Sequence, residues 1–401
     1  MAMAKLDTLI ASARYDVCGY TAGPARSPQR FIHRAALPAG GASPLFKVLL
    51  TNVCVSDCAY CVNQVGRDCP RYSFQPEELA RLFMDLHQKR LVRGLFLSSG
   101  IGVDVSRTMQ AMIDTVDILR HRYGFGGYVH LKVLPGAPFD CVAEACRLAS
   151  RVSVNMEAPT PQHLAKLSAR KDLAEDIVER MRWVKQLTDA DPQLVPSGQT
   201  TQFVVGAAGE TDHDILSTVQ ALYSQMQLRR VYFSGFRPVR DSRLECVRPA
   251  PPLREHRLYQ ADWLIRVYGF SPQEIELALG RNGNLRLDMD PKLSIARRQP
   301  WLFPVDINRA SYEDLLRVPG IGPVSARRIV ESRREHSISS LQQLQKMGVA
   351  ARRAAPFVWF HGMGKAEKQA SFLPQLGPAC QRPPSLAGTL AESGIEEAGS
   401  R

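Results

Sequence analysis

The stretch TNVCVSDCAYCVNQ (51–64) holds three thiols, Cys54, Cys58 and Cys61, in the spacing C-x3-C-x2-C. Thiolates act as nucleophiles or as metal ligands, and three held this closely point to shared coordination of one inorganic group. The chain has nine cysteines, an odd number at irregular spacing, which is not the pattern of a disulfide framework. Three cysteine ligands on a four-iron cluster leave one iron open to a substrate or cofactor. Structural zinc is the competing occupant; it needs a fourth ligand, and Cys69 is the only near candidate. Cys18, Cys69, Cys141, Cys146, Cys246 and Cys380 read individually as buried or incidental thiols.

Other stretches offer backbone or polar groups for chemistry. In LFLSSGIG (95–102), Gly100 and Gly102 let main-chain N–H and C=O groups approach a ligand, because no Cβ intervenes. In VNMEAPT (154–160) the period of two sends Asn155 and Glu157 to one face and Met156 to the other. GQTTQFVVGAAGETDHDIL (198–216) carries Gln202 ahead of a G-x-x-G-E-T turn, and YFSGFRPV (232–239) ends with Ser234 and Arg237.

Apolar, β-rich runs at 45–52, 94–99, 128–134, 151–157, 200–206 and 229–236 alternate with helical segments such as 76–91 and 107–123, the first opened by Pro76. This alternation predicts repeated βα units around a parallel sheet, whose strand C-terminal ends are where such folds place chemistry. The expected organisation is an N-terminal extension (1–44), an α/β core (45–235), an irregular extension capping it (236–303), a small all-α module (304–364) and a tail (365–401). The tail is rich in Pro, Gly, Ser, Ala and Glu and reads as disordered. With 401 residues, 45% hydrophobic and 22% charged, the composition is that of an ordinary globular protein. The first residues show no signal-peptide pattern and no stretch has a membrane-spanning apolar run, so the expectation is a cytoplasmic protein without membrane association. The formal charge of +12 favours a polyanionic partner, nucleic acid first.

The cysteine spacing, directly after an apolar strand ending in Thr51-Asn52 and with Tyr60 just before the third cysteine, resembles the signature of the radical S-adenosylmethionine (SAM) superfamily. That resemblance implies a partial (βα)6 TIM-like barrel in which Cys54, Cys58 and Cys61 ligate a [4Fe-4S] cluster. It implies SAM chelated to the open iron and cleaved by one electron to a 5′-deoxyadenosyl radical, the electron coming from a flavodoxin- or ferredoxin-type donor. Tyr60, Ser99, Gly100, Ile101 and Gly102 fall by resemblance to the SAM methionine region. Asn155 and Glu157 fall to its ribose and methionine region or to substrate, Gln202 to the cavity, and the 206–211 turn to the adenine.

VDINRASYEDLLRVPGIGPVSARRIVESRREHSISSLQQLQKMGV (305–349) has its own pattern. Asn308 or Ser311 caps a short helix, PGIGP makes a tight hairpin, and a second helix follows. The segment resembles the helix-hairpin-helix motif of DNA-binding proteins. By that resemblance Pro319, Gly320, Ile321 and Gly322 form the phosphate-facing hairpin with Ile321 as its buried pin, and Arg327, Arg328 and Arg333 meet phosphates. A degenerate second copy follows around GVAAR (348–352). An iron–sulfur DNA glycosylase has the reverse order of motifs and a four-cysteine cluster. The whole arrangement resembles a bacterial family of radical SAM proteins assigned to DNA modification or repair and associated with a uracil-DNA glycosylase-like partner. It implies an enzyme acting on DNA; an RNA-modifying radical SAM enzyme and a non-catalytic iron–sulfur DNA-binding protein are the alternatives.

Overall fold

A computed structural model describes residues 2–13, 32–36 and 42–360. Cys18, Cys380 and the 365–401 tail lie outside the described residues. The chain divides into two compact units, residues 1–300 and 301–401.

The first unit opens with α1 (Ala2–Ala13), then β1 (Ile32–Ala36) and β2 (Ala42–Leu49). Alternating helices and strands follow: α2 (Pro76–Gln88), β3 (Gly94–Ser98), α3 (Val105–Asp117), β4 (Tyr128–Lys132), α4 (Phe139–Leu148) and β5 (Arg151–Ser153). The series continues with α5 (Pro161–Leu167), α6 (Glu179–Ala190), β6 (Gln199–Val205), α7 (Asp212–Met226) and β7 (Arg230–Gly235), and closes with helices α8 (Pro252–Tyr268), α9 (Pro272–Glu276) and α10 (Pro291–Arg298). The seven strands form one curled sheet in sequential order; β2 to β7 are parallel, as the βα alternation predicts, in a partial barrel. β1 pairs antiparallel with β2, Ile32 opposite Phe46, so part of the expected N-terminal extension is an edge of the sheet.

Each helix follows from its apolar spacing. α3 buries Met109, Met112, Ile113 and Val116 at three- and four-residue intervals, and Asp104 caps it by accepting from the Arg107 N–H. α2 has Pro76 at its first position, where a missing N–H costs nothing, and buries Leu79, Ala80 and Phe83. Because the strands run parallel, the ends at Leu49, Ser98, Lys132, Ser153, Val205 and Gly235 meet at one edge of the sheet, and the following loops build one site there.

β5 is shorter than its apolar run suggests. Beyond Ser153 the chain bulges: Met156 N–H donates to Thr201 Oγ1 at 2.9 Å, and Glu157 re-enters the ladder by donating to Gln202 O and accepting from Val204 N–H, both at 2.9 Å. Glu157 reaches this register with φ of +63°, in the left-handed region that non-glycine residues avoid.

The second unit pairs β8 (Val305–Asp306) with β9 (Val358–Trp359) and holds α11 (Tyr312–Arg317), α12 (Pro323–Ser332), α13 (Leu341–Lys346) and α14 (Ala351–Ala354). Ser311, not Asn308, caps α11, in a reciprocal capping box with Asp314. Asn308 instead exchanges hydrogen bonds with the main chain of Ile338, at 2.9 Å and 2.8 Å. The buried residues include Ile307, Leu315, Leu316, Ile329 and Leu344.

Candidate active site and hairpin

The loop after β2 carries the cysteines. Its path is fixed from two sides: Gly100 N–H donates to Thr51 O at 2.7 Å and Val55 N–H to Ile101 O at 2.8 Å, while Asn52 accepts from Tyr72 N–H at 2.7 Å. Arg71 binds the loop from beneath, donating to the carbonyls of Asn52, Asn63, Gln64 and Arg67. This holds Cys54, Cys58 and Cys61 on the wall of a cavity of about 810 Å³ at the C-terminal edge of the sheet.

Main-chain N–H groups of Ile101 and Asn63 stand 3.4 Å from the sulfurs of Cys54 and Cys61, and Ser56 Oγ is 3.3 Å from that of Cys58. Burial, together with the neighbouring Cys58, pushes the Cys61 thiol up to about 12. A bound cation reverses that preference, since a coordinating thiol is deprotonated outright. Among the described residues no three His, Cys, Asp or Glu side chains converge on a point that would hold a single metal ion. Cysteines of a multi-iron cluster bind different irons and need not converge in that way.

The same cavity is lined by Ser99, Gly100 and Ile101, the last two packed against the cysteine loop, and by Asn155, Glu157 and Gln202. Tyr60 also lines it; burial raises its hydroxyl pKa well above the ordinary value, with Cys58 and Glu157 adding to the effect. Glu157 is 5% exposed, and its Oε2 has no hydrogen-bond partner within the protein; neither has the buried Oγ of Ser99. Native proteins leave few buried polar atoms unsatisfied, and these two open into the same cavity. Ser234 and Arg237 are at the cavity as well.

Gly102 departs from expectation. It does not line the cavity, because its N–H turns toward α3 and donates to Thr108 Oγ1 at 3.1 Å. The 206–211 turn is also absent from the lining: Glu210 folds back to accept from the Gly206 and Ala208 N–H groups, and Arg254 pairs with Asp212 at 2.7 Å, which commits the turn to holding α7 and α8.

Three cavity residues were not anticipated. Lys132 ends β4 and donates to Asn155 Oδ1 at 2.5 Å; a lysine in the buried run YVHLKVL, whose one other strongly polar residue is His130, was the available signal. Lys171 follows α5 in a short loop and stands 3.4 Å from the Tyr60 hydroxyl. Burial opposes its charge, but Cys58 and Glu157 outweigh burial and hold its pKa above the ordinary value. Glu255, from α8, accepts from the Gly235 N–H at 2.8 Å. Neither Lys171 nor Glu255 lies in a sequence pattern that distinguishes it.

In the second unit, Gly320 has φ of +93° and Ile321 is 1% exposed, the buried pin of the hairpin. Pro319 is buried too, so Pro319 and Ile321 shape the turn from within. Gly322 is the extended residue before α12, whose first turn presents unpaired N–H groups. Arg327 and Arg328 are exposed on α12. Arg328 donates to Met347 O at 3.4 Å, and half-buried Arg333 donates to Ile307 O at 3.0 Å.

Residues 48–222 match the model of the radical SAM superfamily, and residues 304–349 match that of the helix-hairpin-helix motif. No curated protein matches the chain. Among solved structures the chain is similar to HydG, a maturase of the [FeFe]-hydrogenase (TM-score 0.44, 11% identity, 55% of this chain and 49% of that one). It is also similar to the FeFe-hydrogenase maturase HydG from Carboxydothermus hydrogenoformans (0.42, 13%, 54% and 50%) and to methylornithine synthase, PylB (0.44, 15%, 53% and 58%). The chain thus spans about half the length of these structures, and similarity at this level says nothing of substrate or reaction. On the two family matches, the chain carries a radical SAM domain followed by a helix-hairpin-helix motif.

Proposed function

We propose that this enzyme cleaves S-adenosylmethionine with a [4Fe-4S] cluster and acts on DNA, in modification or repair. One observation carries the first part: the three cysteines and the unpartnered Glu157 Oε2 and Ser99 Oγ line the same cavity. The donor set fits a cluster, with three thiols, two of them facing main-chain N–H groups, and it fits SAM, whose ammonium and hydroxyl groups suit a carboxylate and a hydroxyl. When bound, the cluster supplies the electron that breaks the SAM sulfonium bond.

The protein's own residues perform the remaining work. Cys54, Cys58 and Cys61 ligate and are not nucleophiles. Glu157 and Ser99 orient the cofactor through their open polar atoms, and Asn155, fixed by Lys132, holds the floor of the site. Leu49, Val133, Leu134 and Phe236 line the cavity with apolar surface that excludes water.

The helix-hairpin-helix motif supports DNA as the substrate or as its carrier, since a hairpin before a helix N-terminus presents backbone donors to phosphates without reading bases. Association with a uracil-DNA glycosylase-like protein, a flavodoxin- or ferredoxin-type donor and a cytoplasmic location complete the proposal. Among the described residues no helix is long and apolar enough to cross a membrane. The test is anaerobic reconstitution with iron and sulfide, reduction, and addition of SAM with damaged or intact DNA, followed by chromatography for 5′-deoxyadenosine and mass spectrometry of the nucleosides. The expected result is 5′-deoxyadenosine formation stimulated by DNA; no SAM cleavage by a reconstituted, reduced protein defeats the proposal, and stimulation by RNA alone replaces DNA with RNA.

A further inference from the structure

Arginines from distant parts of the sequence gather on the cysteine loop that forms one wall of the barrel cavity. Arg237 follows β7, lines the cavity and is exposed. Three residues on, Arg240 projects into solvent with 86% of its side chain exposed, while its carbonyl accepts from Arg67 of the cysteine loop. Arg243 lies 3.7 Å from Asp57, between the first two cluster cysteines, and keeps 55% of its side chain exposed. From the other side Arg170, also exposed, donates to Val55 O of the same loop. The cysteine loop, the turn after α5 and the loop after β7 therefore meet beside the cavity, and the last two bring exposed guanidinium groups there.

The nearby carboxylates offset only part of this charge. Asp57, held ionised by the Ser168 hydroxyl and the Ala169 N–H, faces Arg243, while Asp241 and Glu245 are exposed, Asp241 standing 3.9 Å from Arg240, a pairing worth little in water. Exposed Val53 and Val55 place apolar surface in the same loop, beside the arginines. Fork-shaped donors beside a cavity with apolar contacts between them suit a strand of phosphodiesters with its bases unpaired, because arginine pairs with phosphate bidentately and apolar surface meets the faces of bases. The cavity, at about 810 Å³, lies in the upper part of the roughly 300–1,000 Å³ range of small-molecule sites. A base stacked in a duplex cannot enter such a cavity; an unpaired one can.

We propose that Arg170, Arg237, Arg240 and Arg243 form a seat for the phosphates of a single-stranded polynucleotide, with Arg67 holding the Arg240 main chain in place, a second nucleic-acid surface on the radical SAM unit that delivers one unpaired nucleotide to the cavity. This rests on the reading of the enzyme as one that acts on DNA, and it assigns to the barrel a selection for unpaired strands that a backbone-reading hairpin does not provide.

The experiment uses the full chain and three fluorescent oligomers of one sequence: single-stranded DNA, duplex DNA and single-stranded RNA. Four proteins are titrated across a salt series: the unaltered chain, Arg237→Glu/Arg240→Glu, Gly322→Val in the hairpin, and one control. Arg237→Lys/Arg240→Lys serves as the charge-preserving control, and thermal unfolding shows that each variant folds. The expected result is that the double Glu variant loses on the order of tenfold or more in affinity for single-stranded DNA and has a shallower salt dependence, each lost phosphate contact removing about 0.7 from the slope on a single strand. Its duplex affinity changes less, the Lys variant retains most single-strand binding, and Gly322→Val shows the opposite selectivity. Single-strand binding unchanged in a folded double Glu variant overturns the seat while leaving DNA as a partner of the hairpin. No binding of any oligomer by the unaltered chain overturns both readings, and seat-dependent binding of RNA alone upholds the seat while removing DNA.

Discussion

Gly100 is packed against the cluster loop itself: a Cβ built on it would stand 2.6 Å from Val53 O and 3.2 Å from the Cβ of Cys54. The glycine is therefore needed first for the approach of the β3 turn to the cysteine loop, and a ligand is a later consideration. Gly100→Val should disturb Cys54 and reduce iron incorporation on anaerobic reconstitution, and should lower thermal stability, since overpacking typically costs about 1–3 kcal/mol. At Gly102 a Cβ would meet only Thr108 Oγ1 at 3.5 Å, an ordinary contact, so Gly102→Ala should retain iron and stability. Iron content and unfolding midpoints of the two variants decide the matter; equal effects would contradict this packing.

Replacing Cys54, Cys58 or Cys61 with Ala should remove the iron–sulfur absorbance and SAM cleavage together. Cys246 is exposed and outside the cavity, so Cys246→Ala should retain both. Metal analysis after anaerobic purification checks this, and stoichiometric zinc without iron would contradict the cluster assignment.

Glu157 combines a left-handed backbone with an unpartnered carboxylate oxygen. Strain of this kind costs on the order of 1–3 kcal/mol and persists where the site needs it. Glu157→Gln should weaken SAM binding by tenfold or more, measured by calorimetry on the reconstituted protein. Glu157→Gly accepts the same φ without strain and removes the buried carboxylate. It should bind SAM equally poorly and, because the carboxylate also supports the charge of Lys171, lose some stability, but less than Glu157→Ala, which loses the same carboxylate and keeps the strain. An unfolding midpoint lower in the Gly variant than in the Ala variant would contradict strain at this position.

In the hairpin, a Cβ on Gly320 would stand 2.8 Å from Ala350 O, and its φ of +93° is unfavourable for any side chain. Gly320→Ala should destabilise the second unit by at least about 1–2 kcal/mol, seen as faster proteolysis within 301–360 and weaker DNA binding. Rescue of folding without rescue of binding, in any compensated variant, would separate the hairpin's structural part from its contact with phosphate.

The sequence by itself determined the features written in short, local patterns. Cys54, Cys58 and Cys61 are legible because a ligand loop concentrates its thiols within one turn of chain, and the parallel sheet because buried strands and amphipathic helices alternate in hydrophobic period. The hairpin at 319–322 is legible because two glycines and a buried isoleucine leave few other conformations. Only the tertiary structure decided that Lys171 stands beside Tyr60, 111 positions earlier in the chain, that Glu255 reaches Gly235 from a later helix, and that Arg243 and Arg170 meet the cysteine loop. It also turned Gly102 away from the cavity and gave Glu157 its positive φ, through the bulge that restores register with β6. The physical reason is that periodicity reports which face a residue buries, whereas these neighbours are set by strand register and by where successive loops close, and neither leaves a mark within a ten-residue window.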